Sequence, residues 1–325
     1  MLLTGLLTQE SDWRNRKCDN MEIRTDSFNK VGIDMKSGRH MVRPAMSYWQ
    51  DAFGRFTTNK VSVVCIIYLV ILLSGSIIIP MISKFSISHQ DLDNTYVGFL
   101  KAGHWFGTDE LGRDVFVRVW FGTRISLFIA VTAVMVNFVI GVVYGGISGY
   151  YGGVVDTILM RIVDIIIGIP YLIIVILLMI VLKPGILTLI IAYAAVGWTG
   201  MARLVRGQVM QLKEQEFVLA AKVLGSSASG IILKHLLPNT LGVIIVNITL
   251  TIPSAIFTEA FLSYIGLGVQ IPLASLGTLA SDGAASFQMY PHLLFVPALF
   301  LSLTMLSFNL LGDALRDVLD PRLRK

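Results

Sequence analysis

The 325-residue chain is 54% hydrophobic and only 14% charged, with a mean hydropathy of +0.72. Soluble domains carry roughly 25% charge, so this chain lacks the polar residues to coat a water-facing surface, and a soluble enzyme or binding module is excluded. Its net charge of +5 comes without a basic stripe interleaved with aromatics, which argues against nucleic acid as a partner and points to membrane topology.

The apolar residues fall in runs of roughly 20, the length a helix needs to cross a hydrocarbon core of about 30 Å. The runs are continuous rather than alternating, so helices are expected and not a barrel. Cys18 stands in a polar stretch and Cys65 in an apolar run, with no CxxC or Cys/His metal spacing around either.

In chain order, residues 1–46 are polar and of mixed charge, and read as a cytoplasmic tail. Across residues 47–60, Trp49, Phe53 and Phe56 recur at helical spacing beside Asp51, Arg55 and Lys60. That pattern predicts a short amphipathic helix in the membrane interface. Residues 61–325 form the membrane domain, with six spans predicted at about 61–82, 125–149, 159–182, 187–205, 241–262 and 292–311. Lys183-Pro184-Gly185 makes a tight turn between the third and fourth. Pro170 and Pro253 are positions where a span could break.

Basic residues set the orientation. The tail holds Arg14, Arg16, Lys17, Arg24, Lys30, Lys36, Arg39 and Arg43. The segment 203–240 holds Arg203, Arg206, Lys213, Lys222 and Lys234, and the C-terminus Arg316, Arg322, Arg324 and Lys325. With six spans these share one side, so both termini are expected in the cytoplasm. The loop 83–124 is then extracytoplasmic, its Arg113, Arg118 and Arg124 offset by Asp91, Asp93, Asp109, Glu110 and Asp114.

The segment 203–240 is unusually long for a connection between spans. Glu216–Leu224 has helical spacing, Gly225 stops it, and Ser226 and Ser227 can cap a further helix. That second short helix, about Ser229–Leu236, is expected to end at Pro238-Asn239. Ala220, Ala221, Gly225, Leu237 and Pro238 resemble the "EAA" loop of ABC importer permeases, with Leu219 at that pattern's Glu position and His235 at its Ile position. The resemblance implies a six-helix permease of the type I importer fold. It also implies a coupling helix, carried by Glu216, Ala220, Ala221, Gly225, Ser226, His235, Leu237 and Pro238, that docks on an ATPase subunit.

A second signature is His104-Trp105-Phe106-Gly107-Thr108-Asp109-Glu110-Leu111-Gly112-Arg113-Asp114, followed by Arg118, Gly122 and Arg124. Gly107 and Gly112 allow tight turns, Asp109, Arg113 and Asp114 can pair, and Thr108 or Asp114 can cap the next helix. It is similar to the C-type permease subunits of peptide and nickel importers. A third, Glu259–Gly268 with Ala274–Thr278 and Ser281-Asp282-Gly283, resembles the same subunits, and among them those of oligopeptide importers.

Among polar groups in the spans, Glu259 is the candidate for a cavity-facing group, while Arg161 and Asp164 suit a structural pair. Gly141, Gly145 and Gly149 recur at i, i+4, which suits close helix packing. No metal site is expected; His104 with Asp109 lacks further ligands at suitable spacing.

No GxxxxGK[ST] phosphate loop and no nucleophile–base constellation stands out, so the chain is not expected to be an enzyme and no catalytic residue is assigned. The resemblance implies ATP and Mg on two partner ATPase subunits. It also implies a related B-type permease, an extracytoplasmic peptide-binding protein, and a multi-pass place in a prokaryotic plasma or inner membrane. Dipeptide or nickel cargo is the alternative within this fold. An ion-coupled secondary transporter is the alternative outside it.

Overall fold

The computed structural model describes residues 48–101 and 103–319, with side chains from Phe53 onward. The tail 1–46, with its basic residues and Cys18, lies outside them, as do Arg322, Arg324 and Lys325. The described chain is helical, its only β-type pairing being the isolated bridges Lys101 to His104 and Thr108 to Asp114.

Helix α1 covers Tyr48–Thr58. Asn59 then turns the chain, its side chain accepting from Val61 N, and starts α2, Lys60–Ile82. A cap of irregular backbone holding one 3₁₀ turn, Leu92–Asn94, leads to α3, Val115–Tyr151. At 37 residues α3 is roughly 55 Å long and reaches well beyond one hydrocarbon thickness. Gly152, at φ +66°, ends it. Next come α4, Gly153–Gly168, α5, Tyr171–Leu182, and α6, Ile186–Leu212.

The hairpin is built from α7, Glu216–Val223, and α8, Ala228–Ile231. A π turn, Ile232–Leu236, joins α8 to α9, Leu237–Tyr264. Gly266, at φ +85°, closes α9: its N–H donates to the Ser263 carbonyl and that of Leu267 to Leu262. Helix α10, Leu276–Ala285, begins on a reciprocal capping box between Ser275 and Thr278. The last helix, α11, runs His292–Leu319.

Five stretches among the described residues are long and apolar enough to cross a membrane: α2, α3, α6, α8 through α9, and α11. The sixth expected span differs. Instead of one helix over 159–182, α4 and α5 meet at 81°. Pro170 causes the break, since its ring excludes helical backbone at Ile169, which stands at ψ 125°. Pro253 leaves α9 unbroken.

The second correction is at Pro238. The expected stop is absent, and α8 runs into α9 through the π turn. In a π turn each N–H reaches back five residues. Leu237 N–H donates to Ile232, so the ladder shifts register just where proline has no donor to give.

Helices α3 and α6 pack most intimately. A Cβ on Gly141 would lie 2.6 Å from Met201, one on Gly145 2.3 Å from the Ala202 carbonyl, and one on Gly149 2.8 Å from that of Arg206. The glycine stripe therefore lets two backbones meet with no side chain between them.

Candidate functional site

Two sites stand at opposite ends of α3: a hairpin beside its C-terminus and a cap over its N-terminus.

The hairpin has two faces. Val218 and Ala221 of α7 turn inward with Ile231 and Leu236 and join a core with Val142, Met201, Val205, Val209 and Ile244. This seats the short helix on α3, α6 and α9 together. Gly225, at φ +82°, forms a Schellman stop: its N–H donates to Lys222 and that of Ser226 to Ala221. Ser227 then caps α8 through Gly230 N–H at 3.2 Å. Outward, Val223 is 88% and Leu224 84% exposed, with Phe217, Leu219 and Leu233 also exposed. Together these side chains leave an apolar patch open on the hairpin, a surface of the kind that meets a protein or lipid partner.

The sequence-predicted hairpin residues divide between these roles. Ala221 is buried, while Glu216, Ala220, Gly225, Ser226 and Pro238 are exposed or half-buried at the surface. His235 and Leu237, half-buried, belong to the π turn and the start of α9. Leu219, at the expected Glu position, faces out. Val223 and Leu224 carry no motif of their own. Their signal in the sequence is two large apolar residues immediately before the stop glycine: Val223 lies off the 218/221 register, and Leu224, three after Ala221, falls at the C-cap where the helix ends.

The cap is the reverse, a polar fold whose charges pair with one another, with Arg118 Nε alone of its ionised groups buried without a hydrogen-bond partner among the described residues. Asp109 Oδ1 accepts from the backbone N–H of Leu111 and Arg113, both at 2.9 Å. Its Oδ2 accepts from Arg113 Nε at 2.7 Å and Arg118 Nη1 at 2.6 Å. Asp114 Oδ1 caps α3 through Val117 N–H at 2.8 Å, and its Oδ2 meets His104 Nδ1 at 2.7 Å. Thr108 donates its hydroxyl to the Asn94 carbonyl and accepts from Val97 N–H. At the outer rim, Asp91 accepts from the Asn94 amide, which holds its carboxyl below the usual range.

Both glycines of this motif are required. Gly107 and Gly112 lie at φ +78° and +70°, and a Cβ there would meet the carbonyls of Val97 at 2.1 Å and Asp91 at 1.7 Å. Edge-on contacts among Phe106, Phe116, Trp120 and Phe300 tie the cap to α3 and α11. His104 thus partners Asp114 rather than Asp109, and no group of three His, Cys, Asp or Glu able to hold a metal occurs among the described residues.

Glu259 is 3% exposed. Ser126 of α3 donates to its Oε2 at 2.7 Å and Ser263 to its Oε1 at 2.8 Å. Ser126 in turn accepts from Leu276 N–H at the start of α10. The carboxyl therefore knots α3, α9 and α10 together, and also lines a small cavity with Tyr171, Tyr193 and Thr258. Asp164 pairs across to Arg203 of α6 at 2.7 Å rather than with Arg161. The longer reach lets the pair link two helices.

Residues 141–325, more than half of the chain, match the family described as the binding-protein-dependent transport system inner membrane component. The chain belongs to this family. Residues 47–100 match the N-terminal transmembrane domain of oligopeptide transport permease C. The hairpin falls within the first match, and the signature 104–114 falls between the two. The chain is 50% identical over 303 residues to the oligopeptide transport system permease protein OppC of Bacillus subtilis (strain 168), covering 93% of this chain and 99% of that one. It is 52% identical over 285 residues to the dipeptide transport system permease protein DppC of the same organism, covering 87% and 88%. With OppC of Escherichia coli (strain K12) it shares 46% identity over 279 residues, 85% and 92% of the two chains. The permease family is therefore fixed along nearly the whole chain.

Proposed function

We propose that this chain is one of two permease subunits of an ATP-driven oligopeptide importer, and that ATPase subunits drive it through the α7–α8 hairpin. The observation that carries this reading is the two-faced hairpin. Its inner face is built into the helix core, while its tip presents Val223 and Leu224 to a partner. A short rigid element joined directly to α6 and α9 suits the transmission of a push.

ATP and Mg would sit on the partner subunits. Their ATP-bound form would favour one permease conformation through differential contact with the hairpin. The hairpin end is the cytoplasmic end in this reading, supported by Arg203, Arg206, Lys213, Lys222 and Lys234. The cap, with Gly107, Thr108, Asp109, Gly112, Arg113 and Asp114, is then the rigid outer surface against which a peptide-binding protein docks. Glu259 acts as a packing knot in the wall of the pathway.

Oligopeptide cargo is supported by similarity to OppC over 99% of that protein's length. Dipeptide cargo is the second reading, favoured by the 52% identity to DppC. Reconstitution with a related permease, the ATPases and the binding protein, and uptake of labelled pentapeptide against dipeptide, tests both. Pentapeptide uptake that requires ATP is expected. Uptake of dipeptide alone would move the assignment to the second reading, and uptake that proceeds on an ion gradient without ATP would overturn both.

A further inference from the structure

Helix α4 is hinged at both ends. At its start Gly152 and Gly153 lie side by side at φ +66° and +53°, a left-handed pair that only glycine adopts freely. At its end the chain turns through 81° at Pro170. Between the hinges the helix buries a single residue, Val163, against Trp198 and Ala202 of α6. Met160 and Ile166 of the same 16-residue helix are only partly buried beside it, so its position also depends on its polar ties.

Those ties run to α6, beside the base of the hairpin, and to α3, whose Tyr144 hydroxyl donates to the Leu159 carbonyl at 2.8 Å; Lys213 and Lys222 in turn hold the end of α3. Asp156 accepts Arg206 Nη2 at 2.6 Å, Arg206 Nε on its other oxygen, and the Ser148 hydroxyl of α3. Lys213, the C-cap of α6, donates to the Gly149 carbonyl at 3.0 Å and stands 3.3 Å from where a Cβ on Gly152 would be. Lys222 of α7 lies over the Tyr150 ring at 5.5 Å. Asp164–Arg203 makes a second, exposed tie two turns along. The Arg206 and Asp156 side chains are 31% and 13% exposed, so the forked pair is partly shielded from water and sets geometry as well as charge.

We infer that Asp156 and Arg206 are positioning residues for transport: the bidentate pair hands displacement of α6 and the hairpin to α4, which swings on Gly152–Gly153 and Pro170 as the moving wall of the pathway. This rests on the hairpin being the driven element. The pair transmits because its fork resists rotation, whereas the apolar contact of Val163, Met160 and Ile166 is non-directional and lets the helices slide. It is a two-ended lever with its clamp beside the driven end.

The test uses the full complex in proteoliposomes with Asp156→Asn, Arg206→Gln, the double variant, and Asp164→Asn as the exposed comparison. Peptide uptake, ATP hydrolysis and thermal unfolding are measured on each. For the first two variants we expect ATP hydrolysis within twofold of wild type, peptide moved per ATP reduced at least tenfold, and the double variant no worse than either single. Asp164→Asn should lose less than threefold. A second readout is the distance between spin labels at Val154 of α4 and Met210 of α6, both exposed, in a background lacking Cys18 and Cys65. It should stay constant through the ATP cycle in wild type and broaden in Asp156→Asn. Wild-type stoichiometry in both single variants, or a Val154–Met210 distance that changes in wild type, overturns the lever. Loss of uptake only in proportion to lost folded complex assigns the pair a structural role and also overturns it. Failure of the hairpin reading is distinguishable, because Val223→Glu with Leu224→Glu would then bind the ATPases and transport at the wild-type rate.

Discussion

The two ends of α3 carry glycines at nearly the same backbone angle, yet their surroundings are opposite. A Cβ on Gly112 would land 1.7 Å from a backbone carbonyl, while one on Gly225 would meet nothing within 4 Å. Around the first, charged side chains and backbone donors satisfy one another. Around the second, Val223 and Leu224 are left open. The cap closes on itself, while the hairpin leaves its apolar tip uncovered. Rigidity at one end and an open contact at the other suit the proposed driven gate.

This contrast can be broken in order of expected effect on stability. Gly112→Ala should be the most damaging. The left-handed backbone alone costs about 1–2 kcal/mol, and the overlap with the Asp91 carbonyl takes the total into the rare range above about 4 kcal/mol, read as loss of folded protein in the membrane. Asp109→Asn comes next. It strips the counter-charge from the buried Arg113 and Arg118, a change of about 3–5 kcal/mol, seen as a lower unfolding temperature in detergent. Glu259→Ala leaves Ser126 and Ser263 without their acceptor and should cost about 1–3 kcal/mol by the same melt. Gly225→Ala strains the backbone angle without a clash, at about 1–2 kcal/mol. If Gly225→Ala destabilised more than Gly112→Ala, the comparison between the ends would be wrong.

Much of this was legible in the sequence, for identifiable reasons. Apolar runs of bilayer length gave the spans because lipid leaves the backbone no other solution. Gly225 gave the hairpin because only glycine enters the left-handed stop without strain. Asp114 was readable as a cap, and the Gly141, Gly145 and Gly149 stripe as a packing face. The failures share a physical cause. Pro170 and Pro238 are the same residue in helical runs, yet one turns the chain and the other is absorbed by a π turn. That outcome depends on which carbonyls the neighbours satisfy, and no local pattern records it. Asp156 and Arg206 were invisible as a pair because 50 residues separate them and only the α3–α6 packing brings them together. Val223 and Leu224 look like ordinary helix-core residues until the register fixed by Val218 and Ala221 turns Val223 outward and the helix ends at Leu224.

The smallest expected effect on stability is the most informative about function. Val223→Glu with Leu224→Glu changes two open side chains that touch little of the chain itself, so the melt should stay within about 0.5 kcal/mol of wild type. Each glutamate would place an uncompensated charge where an apolar partner surface is expected. Co-purification with the ATPase subunits, then peptide uptake in proteoliposomes, reads the consequence directly. We predict a folded permease that no longer captures its ATPases and loses uptake at least tenfold. A double variant that binds them and transports at the wild-type rate would contradict the hairpin as the driven element.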